Sequence, residues 1–182
     1  MNGFMNKLEA MLDKYMTPVA EVLNNNIVIS GIKDGMMSTL PATMIASVAL
    51  ILSSFPYLDK FCPPLSAAFR TFFGPINGAT LGLIALYALF GTAYYYSEGR
   101  KVDRLYGITT AVICFLIVTP FEKAVEVASG EQTIAAVISG VIDTGVLGAE
   151  GIFPALIVAI VSISLFAWLE HKNLTIKLPA TV

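Results

Sequence analysis

The sequence predicts an all-α integral membrane protein made of one amphipathic surface helix and a bundle of four or five transmembrane helices. Of its 182 residues, 56% are hydrophobic and only 13% are charged, whereas about 25% are charged in an average soluble protein. The mean hydropathy is +0.76. Residues 36–58 contain no ionisable side chain except Tyr57, and a helix over residues 36–55 is about 30 Å long, which matches the hydrocarbon core of a bilayer. Its scattered Ser and Thr hydroxyls can bond back to the helix's own carbonyls, so no polar stripe remains to face water.

Apolar residues recur at helical spacing in the first 22 residues, and charged residues occupy the positions between them. This pattern predicts an amphipathic helix of about four turns that ends near Asn24. The helix is too charged to span, so we expect residues 1–26 to lie on the membrane surface. Packing on a soluble partner or on a second subunit is the alternative. The apolar positions are Phe4, Leu8, Met11, Leu12, Tyr15 and Val19.

A second span is predicted over residues 76–96. Prolines end the first span, and residues 65–73 form a short amphipathic stretch before the second. Gly74 and Pro75 are expected to open the second span, and three tyrosines at its end suit the membrane interface. These tyrosines are Tyr94, Tyr95 and Tyr96.

The remaining part of the chain predicts two further spans and one ambiguous segment. Residues 105–118 form the third span, and residues 122–132 a polar loop. Residues 134–147 are apolar but rich in glycine, so they either cross the membrane or form a short, interrupted helix packed inside protein. Residues 152–168 form the last span, with Trp168 as its interfacial anchor.

The distribution of Lys and Arg predicts the orientation. Basic residues concentrate before the first span and in the loop after the second, which places the amino terminus in the cytoplasm. If residues 134–147 do not cross, the basic residues of the tail are also cytoplasmic and the asymmetry is greater. The charges therefore favour four crossings, and we assign residues 27–173 to one transmembrane domain.

Asp143 is the only carboxylate within an apolar stretch, which makes it a candidate functional polar position. The alternative is that it lies near the interface or caps a helix end beside Thr144 and Gly145. Glu150 is expected at the start of the last helix, where its charge suits the helix dipole. The single histidine, His171, is expected to be solvated at the interface.

Gly78 and Gly82 have the four-residue spacing that lets helix backbones approach closely, so we expect them at a helix interface within the subunit or between subunits. Other chemistry is not indicated by the sequence. No metal-ligand spacing, cofactor motif, catalytic triad or basic patch for nucleic acid is present. The two cysteines, Cys62 and Cys114, do not suggest a disulfide framework.

Several strings together resemble the amino-terminal half of one family. That family is the sugar permeases, or enzyme IIC components, of the bacterial phosphoenolpyruvate-dependent phosphotransferase system, in the lactose/cellobiose (diacetylchitobiose) branch. The similarity extends over essentially the whole chain. The strings are residues 23–26 (LNNN), 31–36 (GIKDGM), Pro41 with 45–47 (IAS), 147–153 (LGAEGIF) and 173–179 (NLTIKLP).

The resemblance implies a multi-pass protein of the bacterial inner membrane. In that family, amino-terminal helices form a scaffold that makes the homodimer interface, and a second domain holds the disaccharide and moves it across. A IIB subunit, itself served by IIA, then phosphorylates the sugar. The glutamate and histidine motifs of the second domain do not occur here, so no catalytic or sugar-binding residue is expected in residues 1–182. Residues 174–182 match the start of the linker toward that domain.

The sequence therefore predicts the scaffold and dimerisation half of a IIC permease for a disaccharide such as cellobiose, chitobiose or lactose. The chain is then expected to be a fragment, a truncated gene product or half of a split permease. It is expected to need no cofactor and to have no enzymatic activity alone. Two alternatives are a self-sufficient small transporter or channel that uses Asp143, and a membrane anchor that recruits a soluble partner through residues 4–22.

Overall fold

The computed structural model describes residues 12, 14, 16 and 18 and the segments 21–54, 63–129 and 132–172. Most of the predicted surface helix lies outside these residues, although residues 21–25 are helical. The elements that follow are helices α1 (Ile27–Met37), α2 (Leu40–Ser53), α3 (Pro63–Thr80), α4 (Ile84–Gly99) and α5 (Arg104–Val118), strands β1 (Glu122–Ser129) and β2 (Gln132–Ser139), and helices α6 (Thr144–Leu147) and α7 (Ile152–His171).

Helices α1 and α2 form the first apolar stretch, Ile27–Ser53, which is long enough to cross a membrane. It begins earlier than predicted, because the Asn26 side chain caps α1 by accepting a hydrogen bond of 2.9 Å from the Val28 amide. Lys33 and Asp34, expected to precede the span, therefore lie within a helix. The break at Ser38 has a simple cause, since Pro41 near the start of α2 has no amide to donate to α1.

The second stretch, Pro64–Gly99, is helical from α3 to α4 apart from a 3₁₀ turn at Leu81–Leu83. The prediction that Gly74 and Pro75 open this span is wrong, because α3 runs straight through Pro75. Gly74 removes part of the steric conflict, since a Cβ on the residue before proline disfavours helical geometry. The interruption instead follows Thr80, whose hydroxyl bonds back to the Ile76 carbonyl at 2.7 Å.

Helices α5 and α7 lie close to their predicted positions. Asp103 caps α5 by accepting from the Leu105 amide at 2.9 Å, and the helix ends just before Pro120. Helix α7 lies within the apolar stretch Ala149–His171, the third that is long enough to cross. Helix α5 is apolar but shorter than these three.

The region between α5 and α7 differs from the prediction. Strands β1 and β2 form an antiparallel hairpin in which Glu122 pairs with Ser139. The loop predicted over residues 122–132 is therefore wrong. For residues 134–147 either a crossing or a short, interrupted helix was expected, but residues 134–139 belong to strand β2 and only Thr144–Leu147 is helical. A two-stranded hairpin cannot satisfy its outer backbone groups in lipid, which favours the four-crossing alternative for this segment. In the described part of the chain the all-α class is confirmed for the apolar stretches, with the hairpin as a local exception.

The core is centred on α4, which packs against α1, α5 and α7. Most of the buried residues of this core are alanines, and their small side chains allow the helices to approach closely. Tyr96, predicted at the interface with its two neighbours, is instead fully buried, and its hydroxyl lies 2.8 Å from the Ser164 hydroxyl of α7. Tyr94 and Tyr95 are exposed, as expected of a belt. In addition to Tyr96, the larger fully buried side chains of the core are Leu89, Phe115 and Ile163.

Helix α1 crosses α4 with backbone against backbone. A Cβ added at Gly35 would lie 2.5 Å from the Thr92 Cα, and one added at Gly91 would lie 2.5 Å from the Gly35 carbonyl oxygen. One added at Gly31 would lie 3.1 Å from the Tyr96 Cβ. These glycines therefore set the distance between the two helices.

Candidate functional site

Asp143 lies at the base of the hairpin, immediately before α6, and outside the apolar helical stretches. Its carboxylate accepts a hydrogen bond of 3.0 Å from the Gly145 amide and forms an ion pair of 3.0 Å with the Lys123 ammonium. The Gly145 hydrogen bond, together with Lys123, holds the pKa of the Asp143 carboxyl below its ordinary value. These are the contacts of a helix cap, which was the alternative to a functional carboxylate.

Gly78 and Gly82 lie at the end of α3 and in the 3₁₀ turn, and a Cβ added at either would meet no atom within 4 Å. They therefore make no close helix contact within the described part of this chain. Packing between subunits, the other possibility, remains a prediction. The tight contacts involve Gly31 and Gly35 instead, a pair with the same four-residue spacing that sequence reasoning overlooked.

The other residues considered in the sequence occupy ordinary positions. His171 is exposed, and its Nδ1 lies 2.7 Å from the Ala167 carbonyl oxygen one turn earlier. Glu150 is exposed in the 3₁₀ turn that leads into α7. Cys114 is a free, half-buried thiol, and Cys62 lies outside the described residues.

A polar pocket of about 370 Å³ opens where the start of α1 meets the end of α4. Asp34 accepts a hydrogen bond of 3.0 Å from the Ser30 hydroxyl, and Lys33 lies 3.3 Å from the Asn24 side-chain oxygen. Glu98 contributes a second carboxylate, which is paired with Arg104. Such a surface can hydrogen-bond a polar partner at the end of the bundle, and the sequence pointed to it only through the strings around Asn24 and Asp34.

The interior of the bundle is apolar, and few polar side chains are buried in its described part. Within the described segments, the buried polar side chains other than Tyr96 are all Ser or Thr, namely Ser66, Thr80, Thr92, Ser97, Thr119 and Ser162. No group of three His, Cys, Asp or Glu residues there is placed to hold a metal ion. The arrangement of the described residues can therefore pack helices, and its charged side chains lie at the ends of the bundle and at the hairpin.

These features define a multi-pass helical membrane protein whose interior is closed by small residues. The family model of the phosphotransferase system EIIC components matches residues 33–182. The chain belongs to that family, and the predicted resemblance to its cellobiose/lactose branch is confirmed.

Two curated relatives carry a named sugar specificity. The chain is 33% identical over 172 residues to the oligo-beta-mannoside-specific EIIC component of Bacillus subtilis strain 168, covering 94% of this chain and 37% of the relative. It is 31% identical over 190 residues to the cellobiose-specific EIIC component of Geobacillus stearothermophilus, covering 96% and 39%. The chain thus spans about two fifths of the length of these curated relatives.

The fold is likewise similar to a solved structure. The crystal structure of the transporter ChbC, the IIC component of the N,N'-diacetylchitobiose-specific phosphotransferase system, matches with a TM-score of 0.78 and 33% identity. The match covers 94% of this chain and 40% of ChbC. Because the identity is well above the level at which only a fold is shared, the similarity supports membership of the family as well.

Proposed function

We propose that residues 1–182 form the scaffold half of a phosphotransferase-system IIC permease for a β-linked disaccharide of the cellobiose, chitobiose or lactose kind. The named specificities of the relatives support this class of sugar. In this proposal, the residues that hold and move the sugar lie in the remainder of such a permease, since the match covers only 40% of ChbC. Phosphoryl transfer is the task of a IIB subunit supplied by IIA.

The composition of the interior is the observation that carries this proposal. A sugar site within the bundle requires several buried polar or charged groups that converge on one cavity. The described interior instead buries Ser and Thr among alanines and has backbone-to-backbone helix crossings at Gly35 and Gly91. Such packing gives a stiff frame, because each close contact leaves little room for rearrangement.

A chimera with ChbC tests the division of labour. Residues 1–182 replace the matching 40% of ChbC, and the chimera is expressed in cells that contain the other phosphotransferase components. We expect uptake of N,N'-diacetylchitobiose, because the sugar preference comes from the ChbC part. The polypeptide of residues 1–182 alone should bind neither cellobiose nor diacetylchitobiose in calorimetry. Micromolar binding by the polypeptide alone, or a chimera whose sugar preference no longer follows ChbC, contradicts the proposal.

We further propose that the scaffold forms a homodimer in the cell membrane, with its amino terminus in the cytoplasm and with Gly78 and Gly82 at the subunit contact. The open space at both glycines supports this placement, since close approach of a second helix needs such small residues. Gly78→Leu and Gly82→Leu should each shift the purified protein from dimer to monomer in size-exclusion chromatography with light scattering. Ala68→Leu adds similar bulk at an exposed position ten residues before Gly78 on α3 and should leave the dimer intact. A dimer that survives both glycine variants rules this contact out.

A further inference from the structure

A second pocket lies at the same end of the bundle as the polar pocket, between the ends of α4 and α7 and the start of α1. Its volume is about 490 Å³. Arg100 and Lys101 line it from the α4 side, and Ser164, Trp168 and His171 line it from α7. We refer to it as the basic pocket.

The two cations of the basic pocket are positioned but not neutralised. The Arg100 Nε donates to the Tyr96 hydroxyl at 2.9 Å, and its guanidinium carbon lies 5.3 Å from the centroid of the Tyr96 ring. Lys101 follows the helix with a left-handed φ of 59°, and its backbone amide bonds to the Glu98 carbonyl at 3.0 Å. These contacts fix the geometry without supplying a negative charge.

Of the carboxylates near the pocket in the sequence, two are engaged elsewhere, whereas Glu170, next to His171, is exposed and forms no ion pair with a described residue. Glu98 pairs with Arg104, and Asp103 caps α5. No carboxylate among the described residues forms an ion pair with Arg100 or Lys101. Among the described residues, the two positive charges of the basic pocket therefore have no ion-pair partner, and the exposed His171 is beside them.

The apolar side of the basic pocket indicates its depth in the membrane. Trp168 is 54% exposed, and the Lys172 ammonium lies 5.9 Å from the centroid of its ring. Tryptophans of this kind sit at the level of the lipid headgroups. Leu165 and Leu169 are exposed on the same face of α7, three residues before and one residue after the tryptophan. The cations Arg100 and Lys101 thus lie at headgroup level, beside an exposed apolar face of α7.

We propose that the basic pocket binds the phosphate of an anionic phospholipid. Guanidinium and ammonium groups bind phosphate oxygens strongly, and basic pockets between transmembrane helices take lipid headgroups. The exposed leucines of α7 give the acyl chains a surface, which a free phosphate ion would not need. The inference rests on the chain being a membrane protein of this family and does not require that it transports sugar.

The single tryptophan of the chain provides a direct assay. The protein of residues 1–182 is reconstituted in phosphatidylcholine bilayers that contain increasing fractions of dibrominated phosphatidylglycerol, and quenching of Trp168 fluorescence reports lipid at the pocket. Dibrominated phosphatidylcholine is titrated in parallel. We expect half-quenching at a severalfold lower fraction of the glycerol lipid. A surface cation contributes about a fivefold preference for anionic lipid, so Lys101→Gln should lose about that factor.

Controls separate the site from general attraction to the surface. Lys33→Gln removes the same charge from the same end of the bundle, outside the basic pocket, and should leave the preference unchanged. Arg100→Gln should lose at least as much as Lys101→Gln. Because Arg100 also bonds to Tyr96, circular dichroism must first show that this variant is folded. If it is not, Lys101→Gln, whose side chain forms no ion pair with a described residue, carries the test alone.

Three outcomes overturn the proposal. Equal quenching by the two brominated lipids means that the pocket does not select charge. An equal loss in Lys33→Gln and Lys101→Gln means that only the overall surface charge matters. Relief of quenching by millimolar inorganic phosphate means that the site takes a soluble phosphate and not a lipid headgroup. None of these results depends on sugar binding, so they leave the proposed permease function untouched.

Discussion

The crossing of α4 and α5 allows a quantitative test of the packing. Gly107 on α5 faces Ser97 on α4, and both are buried. A Cβ added at Gly107 would collide with the Ser97 hydroxyl and lie 2.9 Å from the Ser97 Cβ, whereas ordinary contacts begin near 3.4 Å. Gly107→Ala therefore forces the helices apart. Overpacking of this kind costs about 1–3 kcal/mol, which exceeds the gain in helix propensity of at most about 1 kcal/mol.

The partner substitution should act in the opposite direction. The Ser97 hydroxyl is buried and has no hydrogen-bond partner among the described residues. Ser97→Ala removes a group whose burial is unfavourable and should stabilise the fold by about 1 kcal/mol. It also removes the atom that a new side chain at Gly107 would strike first. The double variant should therefore be less damaged than the sum of the single variants, with an interaction energy of about 0.5–2 kcal/mol.

Unfolding in mixed micelles with increasing dodecyl sulphate, followed by Trp168 fluorescence, gives the four free energies of the cycle. A second cycle that combines Ser97→Ala with Gly78→Ala is the matched control, because nothing lies within 4 Å of an added Cβ at Gly78. We expect that control cycle to be additive. Additivity in the Gly107 cycle as well, or a Gly107→Ala variant as stable as the parent, refutes the reasoning about this crossing.

Two further predictions concern the hairpin end of the molecule and the sidedness of the chain. The pKa of the Asp143 carboxyl is held below its ordinary value, so its stabilising contribution is complete above an unfolded pKa of about 3.9 and is lost as the pH falls through the lower folded pKa. Asp143→Ala should speed amide hydrogen exchange in residues 144–147 at neutral pH, and Asp143→Asn, which can still cap the helix, should speed it less and abolish the acid dependence. If the exchange rate in Asp143→Asn still depends on acid pH, a group other than Asp143 is responsible for that dependence. With the native cysteines replaced, Ser139→Cys should react with an impermeant maleimide added outside the cell, and Glu170→Cys only after the membrane is opened; labelling of both from outside contradicts the four-crossing topology.

The sequence predicted the membrane class, the family and the approximate centres of the apolar helices, because long runs without charge allow few other structures. It did not predict that α3 continues through Pro75. Proline is a strong breaker in water, but in an apolar setting the remaining backbone groups still have to be paired within the helix, so the helix resumes. The rule that proline ends a helix therefore predicts a boundary at Pro75, although the apolar surroundings favour a continuous helix there.

The hairpin and the glycine contacts were missed for different reasons. Short apolar runs such as residues 134–138 suit a strand as well as a helix, and their length argued for the strand. Gly31–Gly35 and Gly78–Gly82 share one spacing, and spacing alone does not tell which helix face meets a neighbour. Only the assembled bundle distinguishes the pair that touches α4 from the pair that faces open space.

The meeting of Gly35 with Gly91 has a mechanical consequence. Where helices touch through side chains, small relative movements of the helices can be taken up by changes of side-chain rotamer. Peptide groups held in helical hydrogen bonds cannot rearrange in this way. We therefore expect a force on the amino-terminal end of α1 to move α1 and α4 together. A partner that binds at that end is thus expected to displace both helices and not α1 alone.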